Sequence, residues 1–385
     1  MWQNLFIFSV LIVGIFSQPI QIVGRDFYRD NSPIQFRGVN AVVKGEPWFP
    51  STANFDPKIS LTHQDFQILS QSGINMIRLG IMWPGVQPLS PNEYNMTYLE
   101  TIRNISRNAY EYGIYTLLDL HQDVLSDRTC GEGVPSWFPL YLEGFPRPLV
   151  LKPFKSLGEC DKKPWTDYHM SLAVAIGFEY LYQNPGDFHR LWENITLYFK
   201  GEPQILGFEL INEPWCGNQY SNPLLLVPEK ANRRLLESLY QETIQRIHEI
   251  DPMRIVFIEP VTWSDIDLGW SELPNNTIIS FHYYIDINPP FHFHLSHYLR
   301  ESARLDRPIF LTEFDLSTWD EVSILTKQYN TSWAIWEYKD FCQDRFGACK
   351  TGYGGYFFTA EGERNETTFQ RLKNVVRVNM DPKKI

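Results

Sequence analysis

Short apolar runs rich in β-branched and aromatic residues alternate along this chain with longer stretches in which apolar residues recur every three to four positions. The first pattern predicts buried strands and the second amphipathic helices. Their alternation predicts repeated βα units around a parallel sheet. Eight strand-like runs can be counted, at residues 34–40, 75–81, 114–120, 207–212, 254–259, 278–284, 308–314 and 332–338. Helical periodicity falls at 62–72, 97–112, 185–199, 229–250, 291–304 and 320–329, with a weak segment at 263–273 and a closing one at 369–378. Eight parallel strands with helices outside them predict an α/β fold, a (β/α)8 TIM barrel. One connection breaks the rhythm. Residues 121–184 are rich in Pro, Gly and aromatic side chains, exceed ordinary loop lengths and follow a strand C-terminus, so they are expected to build a wall or lid over a site.

In such a barrel the chemistry sits at the C-terminal strand ends. The fourth run ends in Asn212-Glu213-Pro214 and the seventh in Thr312-Glu313-Phe314, which brings two glutamates to one rim from across the barrel. Paired carboxylates suit glycoside cleavage. One donates a proton to the leaving oxygen and the other attacks the anomeric carbon, with about 5–5.5 Å between them in retaining enzymes. Either glutamate alone would read as a solvated cap or the partner of an arginine; the pair is harder to explain that way. Glu209 precedes Glu213 by four residues and, at about 3.3 Å per residue, is expected roughly 13 Å deeper as a structural carboxylate. Glu259 and Asp315 are candidates for supporting the pair. Arg78, His121, Asp123, His282, Tyr284 and Trp336 fall at the same rim. A lone histidine or tryptophan on a strand is more often packing, but their coincidence on one rim favours a sugar site.

Charge and cysteines narrow the partners and the compartment. A formal net charge of −11 leaves no basic face for phosphates, so neither nucleic acid nor an anionic membrane surface is expected to bind through electrostatics. Residues 5–16 form an uncharged apolar run too short to span a bilayer but suited to a signal peptide, which divides the chain into a leader at 1–18 and one catalytic domain at 19–385. Asn-x-Ser/Thr sequons at Asn95, Asn104, Asn194, Asn275, Asn330 and Asn365 agree with export of a glycoprotein. Of five cysteines, Cys130 with Cys160 and Cys342 with Cys349 each flank a loop after a predicted strand, so these are expected to be disulfides, with Cys216 left free. No Cys/His spacing suggests zinc, and neither metal nor cofactor is expected.

Taken in order, Arg37-Gly38-Val39-Asn40, Ile77-Arg78, Asp119-Leu120-His121-Gln122-Asp123, Asn212-Glu213-Pro214, His282-Tyr283-Tyr284, Thr312-Glu313-Phe314 and Trp336 resemble glycoside hydrolase family 5. Within that family, Asn40-Ala41-Val42-Val43-Lys44, His121-Gln122-Asp123-Val124, Cys130-Gly131-Glu132-Gly133 with Trp137-Phe138, Asn212-Glu213-Pro214-Trp215 and Trp336-Glu337-Tyr338-Lys339 resemble endoglycoceramidases. The resemblance implies Glu213 as general acid/base and Glu313 as nucleophile. It implies that Asn212 holds the 2-hydroxyl of the reacting sugar, that His282 and Tyr284 orient the carboxylates, and that Arg78 keeps Glu313 ionised. Lys44, His121 and Asp123 would bind sugar hydroxyls, and Trp336 and Trp165 would stack on sugar rings. The substrate would be a glycosphingolipid, cleaved between oligosaccharide and ceramide, with the lipid tails against an apolar wall that includes Val134, Trp137, Phe138, Leu140 and Phe145. Transient contact with a membrane or micelle, a monomeric state and a secreted destination, extracellular, digestive or lysosomal, go with that reading. Such enzymes carry a C-terminal β-sandwich, and none is expected in the stretch after Tyr338. Two other readings stay open: another family 5 β-glycosidase, whether an endo-glucanase or a glucosidase of a glucosylated lipid or sterol, and an inactive carbohydrate-binding barrel.

Overall fold

The computed structural model describes residues 20–139, 168–262, 268–341, 356–359 and 361–378. A small antiparallel sheet comes first, β1 (Gln21–Val23), β2 (Asp26–Arg29) and β3 (Ser32–Ile34). Arg29 pairs with Ser32 across Asp30-Asn31, whose φ values of 51° and 61° are what a two-residue hairpin turn requires. The hairpin carries Phe27 into the floor of the barrel, edge-on to Phe36 at 5.3 Å and to Phe310 at 6.2 Å. Met76, Tyr115, Leu117, Phe257 and Ile278 complete that apolar plug, leaving the opposite, C-terminal rim as the open end.

Eight parallel strands close the barrel: β4 (Arg37–Ala41), β5 (Met76–Gly80), β6 (Tyr115–Asp119), β7 (Ile205–Glu209), β8 (Val256–Ile258), β9 (Thr277–Tyr283), β10 (Ile309–Phe314) and β11 (Ser332–Ile335). The ring is completed where Trp333 of β11 pairs with Arg37 of β4. Each of the eight apolar runs overlaps one of these strands, so the fold is the expected (β/α)8 TIM barrel. Around it lie α1 (His63–Gln71), α2 (Met96–Tyr110), α3 (Leu172–Gln183), α4 (Gly186–Phe199), α5 (Glu237–Ile250), α6 (Phe291–Leu305), α7 (Trp319–Gln328) and α8 (Glu366–Val378). On α2, Leu99, Ile102, Ile105 and Ala109 form the buried stripe, and the Asn95 side chain caps the first turn by accepting the Tyr98 N–H.

Three expectations are corrected. α3 was hidden inside the long connection because Leu-Ala-Val-Ala-Ile-Gly-Phe is apolar on nearly every side and shows no period; its burial on several faces explains why. The helix expected at 229–250 is interrupted at Asn232–Leu236 by a wider, π-type turn, where the buried Asn232 side chain accepts the Val261 N–H at 2.9 Å. The three described residues of the expected apolar wall do not line an open face. Val134 and Phe138 are buried in the core, Phe138 lies 5.6 Å from both Trp83 and Tyr180, and Trp137 donates its indole N–H to the Gln87 carbonyl at 2.7 Å. They seal the long connection onto the barrel. Leu140 and Phe145 lie outside the described residues, as do Trp165, Cys160, Cys342, Cys349 and the leader.

Candidate active site

Arg78, fully buried on β5, organises the interior just below the rim. Its Nη1 donates to Glu313 Oε1 at 2.6 Å and to Asn40 Oδ1 at 2.9 Å, its Nη2 donates to Asn212 Oδ1 at 2.7 Å, and its Nε donates to Glu209 Oε2 at 2.5 Å. Asp119 Oδ1 is 3.1 Å from Nη2. Burial alone would weaken the guanidinium's hold on its proton, but Asp119, Glu209 and Glu313 outweigh it, and Arg78 is held well above its ordinary value. Glu209 shares this guanidinium with Glu313 and Asn212 and is fully buried, a structural carboxylate as expected. The strand ends at Glu209, and the chain is no longer extended when it reaches Glu213.

The two rim glutamates converge. Glu313, on β10, accepts the Tyr284 hydroxyl at Oε2, 2.7 Å away. Glu213 sits beyond β7 with φ of +39°, a conformation costly for any residue with a Cβ. His282 on β9 lies between them: its Nδ1 is 2.8 Å from Glu213 Oε1 and 3.5 Å from Glu313 Oε2. At least one carboxylate oxygen of each glutamate lies within 4.8 Å of the other's. Burial, reinforced by the charge of Asp123, pushes the Glu213 carboxyl up to about 7, while burial pushes the His282 imidazole down to about 4. A carboxyl that keeps its proton near neutrality beside one bound to Arg78 can act as acid and nucleophile respectively.

A second polar cluster adjoins the pair. Lys44 forms an ion pair with Asp123 and lies 3.6 Å from Glu132 Oε1. His121 Nδ1 meets Asp119 Oδ2 at 2.8 Å, and its Nε2 is 3.6 Å from Asp123. Trp336 packs parallel to the His121 ring, centroids 5.4 Å apart, with the Lys44 ammonium 4.7 Å from the indole centroid. The described residues expected to bind sugar are thus one contiguous set; Trp165 lies outside the described residues. Burial would discharge Lys44, yet Asp123 and Glu132 hold its proton more tightly than usual; burial raises Glu132 to about 8 despite Lys44. Gly131 makes the loop behind this cluster feasible, since a Cβ there would lie 1.7 Å from the Asp123 carbonyl oxygen.

Two groups, His121-Asp123-Glu132 and Glu213-His282-Glu313, have ligand atoms close enough to surround a cation. Lys44 already supplies positive charge to the first and Arg78 to the second, so the donor sets fit sugar chemistry better than a metal.

The sequence of the chain matches the profile of the cellulase family, glycosyl hydrolase family 5, over residues 28–343. The chain belongs to glycosyl hydrolase family 5. It is 37% identical over 334 residues to an endoglycoceramidase of Hydra vulgaris, an alignment covering 80% of this chain and 63% of that protein. It is 36% identical over 352 residues to an endoglycoceramidase of Cyanea nozakii, covering 82% of this chain and 68% of that one. In fold it resembles endo-glycoceramidase II from Rhodococcus sp., with a TM-score of 0.69 at 20% identity over 89% of this chain and 79% of the other. This chain therefore spans about two thirds of the length of the two curated relatives.

For a family 5 barrel, the arrangement also depends on residues to which the sequence reading gave no role. Gln122 donates from Nε2 to the Asn212 carbonyl at 2.7 Å and to the Glu213 carbonyl at 2.9 Å, while its Oε1 accepts the Leu125 N–H. Asn40 donates to the Thr312 carbonyl at 2.9 Å while accepting from Arg78. His294, one of three histidines near the start of α6, meets the His282 carbonyl at 2.7 Å. For Gln122 and Asn40 a place at or near a strand end was the available signal, whereas His294 lies on a helix, and for none of them was the direction of the side chain legible. Cys216 is a buried free thiol, as expected.

Proposed function

We propose that this protein is a retaining endo-glycosidase that hydrolyses the β-glycosidic bond between the oligosaccharide and the ceramide of glycosphingolipids. The observation that carries the reaction type is the spacing of Glu213 and Glu313, whose nearest oxygens lie within 4.8 Å. Inverting enzymes need about 6.5–9.5 Å to admit a water between the carboxyls. The names of the two curated relatives support ceramide as the leaving group.

In this mechanism Glu313, held by Arg78 and Tyr284, attacks the anomeric carbon as the bond to the ceramide oxygen breaks. Glu213 gives its proton to that oxygen, so ceramide departs neutral. The Glu213 carboxylate then takes a proton from water, whose oxygen displaces Glu313 from the sugar and restores both groups. Asn212 faces the 2-hydroxyl; Lys44, His121 and Asp123 bind the next sugar outward, and Trp336 covers a sugar face. We further propose a secreted glycoprotein with transient contact to a membrane or micelle. The uncharged leader, the sequons and the bonded state of Cys130 support that compartment, and Cys130 with Cys160 and Cys342 with Cys349 are its proposed disulfides. Lactosylceramide is the test substrate: the wild type should release lactose, and Glu313→Gln should release none while still binding the lipid.

A further inference from the structure

Just beyond β8, Glu259 is 3% exposed and meets the proposed acid/base directly at one point and, by way of His282, at a second. Its Oε2 accepts the Glu213 backbone N–H at 2.8 Å. Its Oε1 lies 3.5 Å from His282 Nδ1, the nitrogen that meets Glu213 Oε1 at 2.8 Å. Glu259 is itself anchored, because its carbonyl accepts the Tyr240 hydroxyl from α5 at 2.7 Å. Glu213 needs such a hold. A left-handed backbone at a non-glycine residue is costly and persists only where its surroundings fix it. Gln122 grips the carbonyl side of Glu213 at 2.9 Å, and Glu259 grips the amide side.

We propose that Glu259 is a positioning residue for Glu213, its carboxyl oxygen serving as the hydrogen-bond acceptor that fixes the acid/base backbone and, past His282, the direction of its side chain. The inference rests on the acid/base reading of Glu213. What the role requires is an acceptor at that point, not a negative charge. Glu259 faces the carboxyls of Glu213 and Glu209, with Arg78, His282 and the backbone-bound Tyr240 around it. Burial, then Glu213 and Glu209, hold its carboxyl well above the usual range, so the carbonyl oxygen of a neutral acid can do the work.

Two substitutions separate the acceptor from the charge. Glu259→Gln keeps the reach and an acceptor oxygen but cannot ionise, whereas Glu259→Asp keeps the acid but withdraws it by one carbon, about 1.5 Å. The readout is kcat/KM on lactosylceramide, whose leaving oxygen needs a proton, against a dinitrophenyl β-lactoside, whose leaving group does not. Glu259→Asp should lose about 100-fold on the lipid, the scale of a 1 Å misplacement, with little loss on the dinitrophenyl substrate. Glu259→Gln should recover at least about tenfold of the lipid rate, on the scale that acid catalysis contributes. A purely structural role would lower both substrates together. Equal losses on both, or a Gln variant as poor as the Asp variant on the lipid, overturn the proposal. Should Glu259→Asp fail to fold, Glu259→Gln alone decides: a leaving-group dependence steeper than wild type contradicts the claim, and an unchanged one supports it. Glu213→Ala run in parallel must show the leaving-group split and regain turnover of the dinitrophenyl substrate with azide. If it does neither, the acid/base reading has failed rather than the role of Glu259.

Discussion

Glu213→Gln should abolish acid catalysis and yet make the protein more stable above neutral pH. Burial, with the charge of Asp123 adding to it, raises the Glu213 carboxyl from its ordinary 4.5 to about 7. A group whose folded-state value is raised holds its proton more tightly in the fold than in the unfolded chain. Its stabilising contribution is whole below about 4.5 and is lost as pH rises through about 7. At 1.36 kcal/mol per pH unit, that gap corresponds to about 3 kcal/mol that the wild type has lost by pH 8 and that a non-titrating amide of the same shape keeps. The Glu213 side chain is 12% exposed, so solvent screening reduces this little. His282, pushed by burial from its ordinary 6.5 down to about 4, lowers stability as pH falls below about 6.5 in wild type and variant alike, so its contribution drops out of their difference. With about 2.1 cal/mol/K of unfolding entropy per residue, 3 kcal/mol is worth about 4 °C for a chain of this length. Calorimetric melts between pH 4.5 and 8.5 should show the variant level with wild type at the acid end and about 4 °C above it at pH 8. A difference independent of pH, or a variant less stable than wild type at pH 8, would refute the claim that burial keeps the proton on Glu213.

Arg78→Met should destabilise the fold by about 3–5 kcal/mol, because Asp119, Glu209 and Glu313 would be left buried around a missing charge; urea unfolding at neutral pH measures this, and a midpoint equal to wild type would contradict it. Cys216, whose thiol burial pushes up to about 12, should resist iodoacetamide at pH 8 in the native protein and react only on unfolding, and rapid labelling of the folded chain would show its surroundings to be wrong.

The barrel was legible because its strands are buried on both faces and read as continuous apolar runs, while most helices bury one stripe. Where that contrast fails, so does the reading. α3 is apolar nearly all round, and β1 to β3 are too short and too exposed to give a pattern, although Asp30-Asn31 is a hairpin signal in hindsight. Glu213 and Glu313 were legible as carboxyls at strand ends. Their partners Arg78, His282 and Tyr284 were named through the family resemblance and do meet them, but the rest of the network was not legible, because the chain leaves β7 at Glu209 and turns left-handed at Glu213, so strand alternation no longer says where a side chain points. Gln122, Asn40 and Glu259 act through backbone amides and carbonyls of residues distant in sequence, a relation that only the closed barrel reveals. Val134 and Phe138 were misplaced in an apolar wall for a different reason. Sequence shows that Val134 and Phe138 are apolar, but not that Trp83 and Tyr180 are there to cover them.

The most direct test of the whole account is the water-soluble product of a purified wild-type reaction with lactosylceramide, followed by mass spectrometry from the first few per cent of conversion. Cleavage at the ceramide bond by Glu213 and Glu313 predicts intact lactose and free ceramide in equal amounts from the earliest time point, with no product from Glu313→Gln. Galactose appearing first and glucose later, without lactose, would contradict the endo reading, and no cleavage of any glycolipid beside rapid hydrolysis of soluble cello-oligosaccharides would move the assignment to another β-glycosidase of family 5.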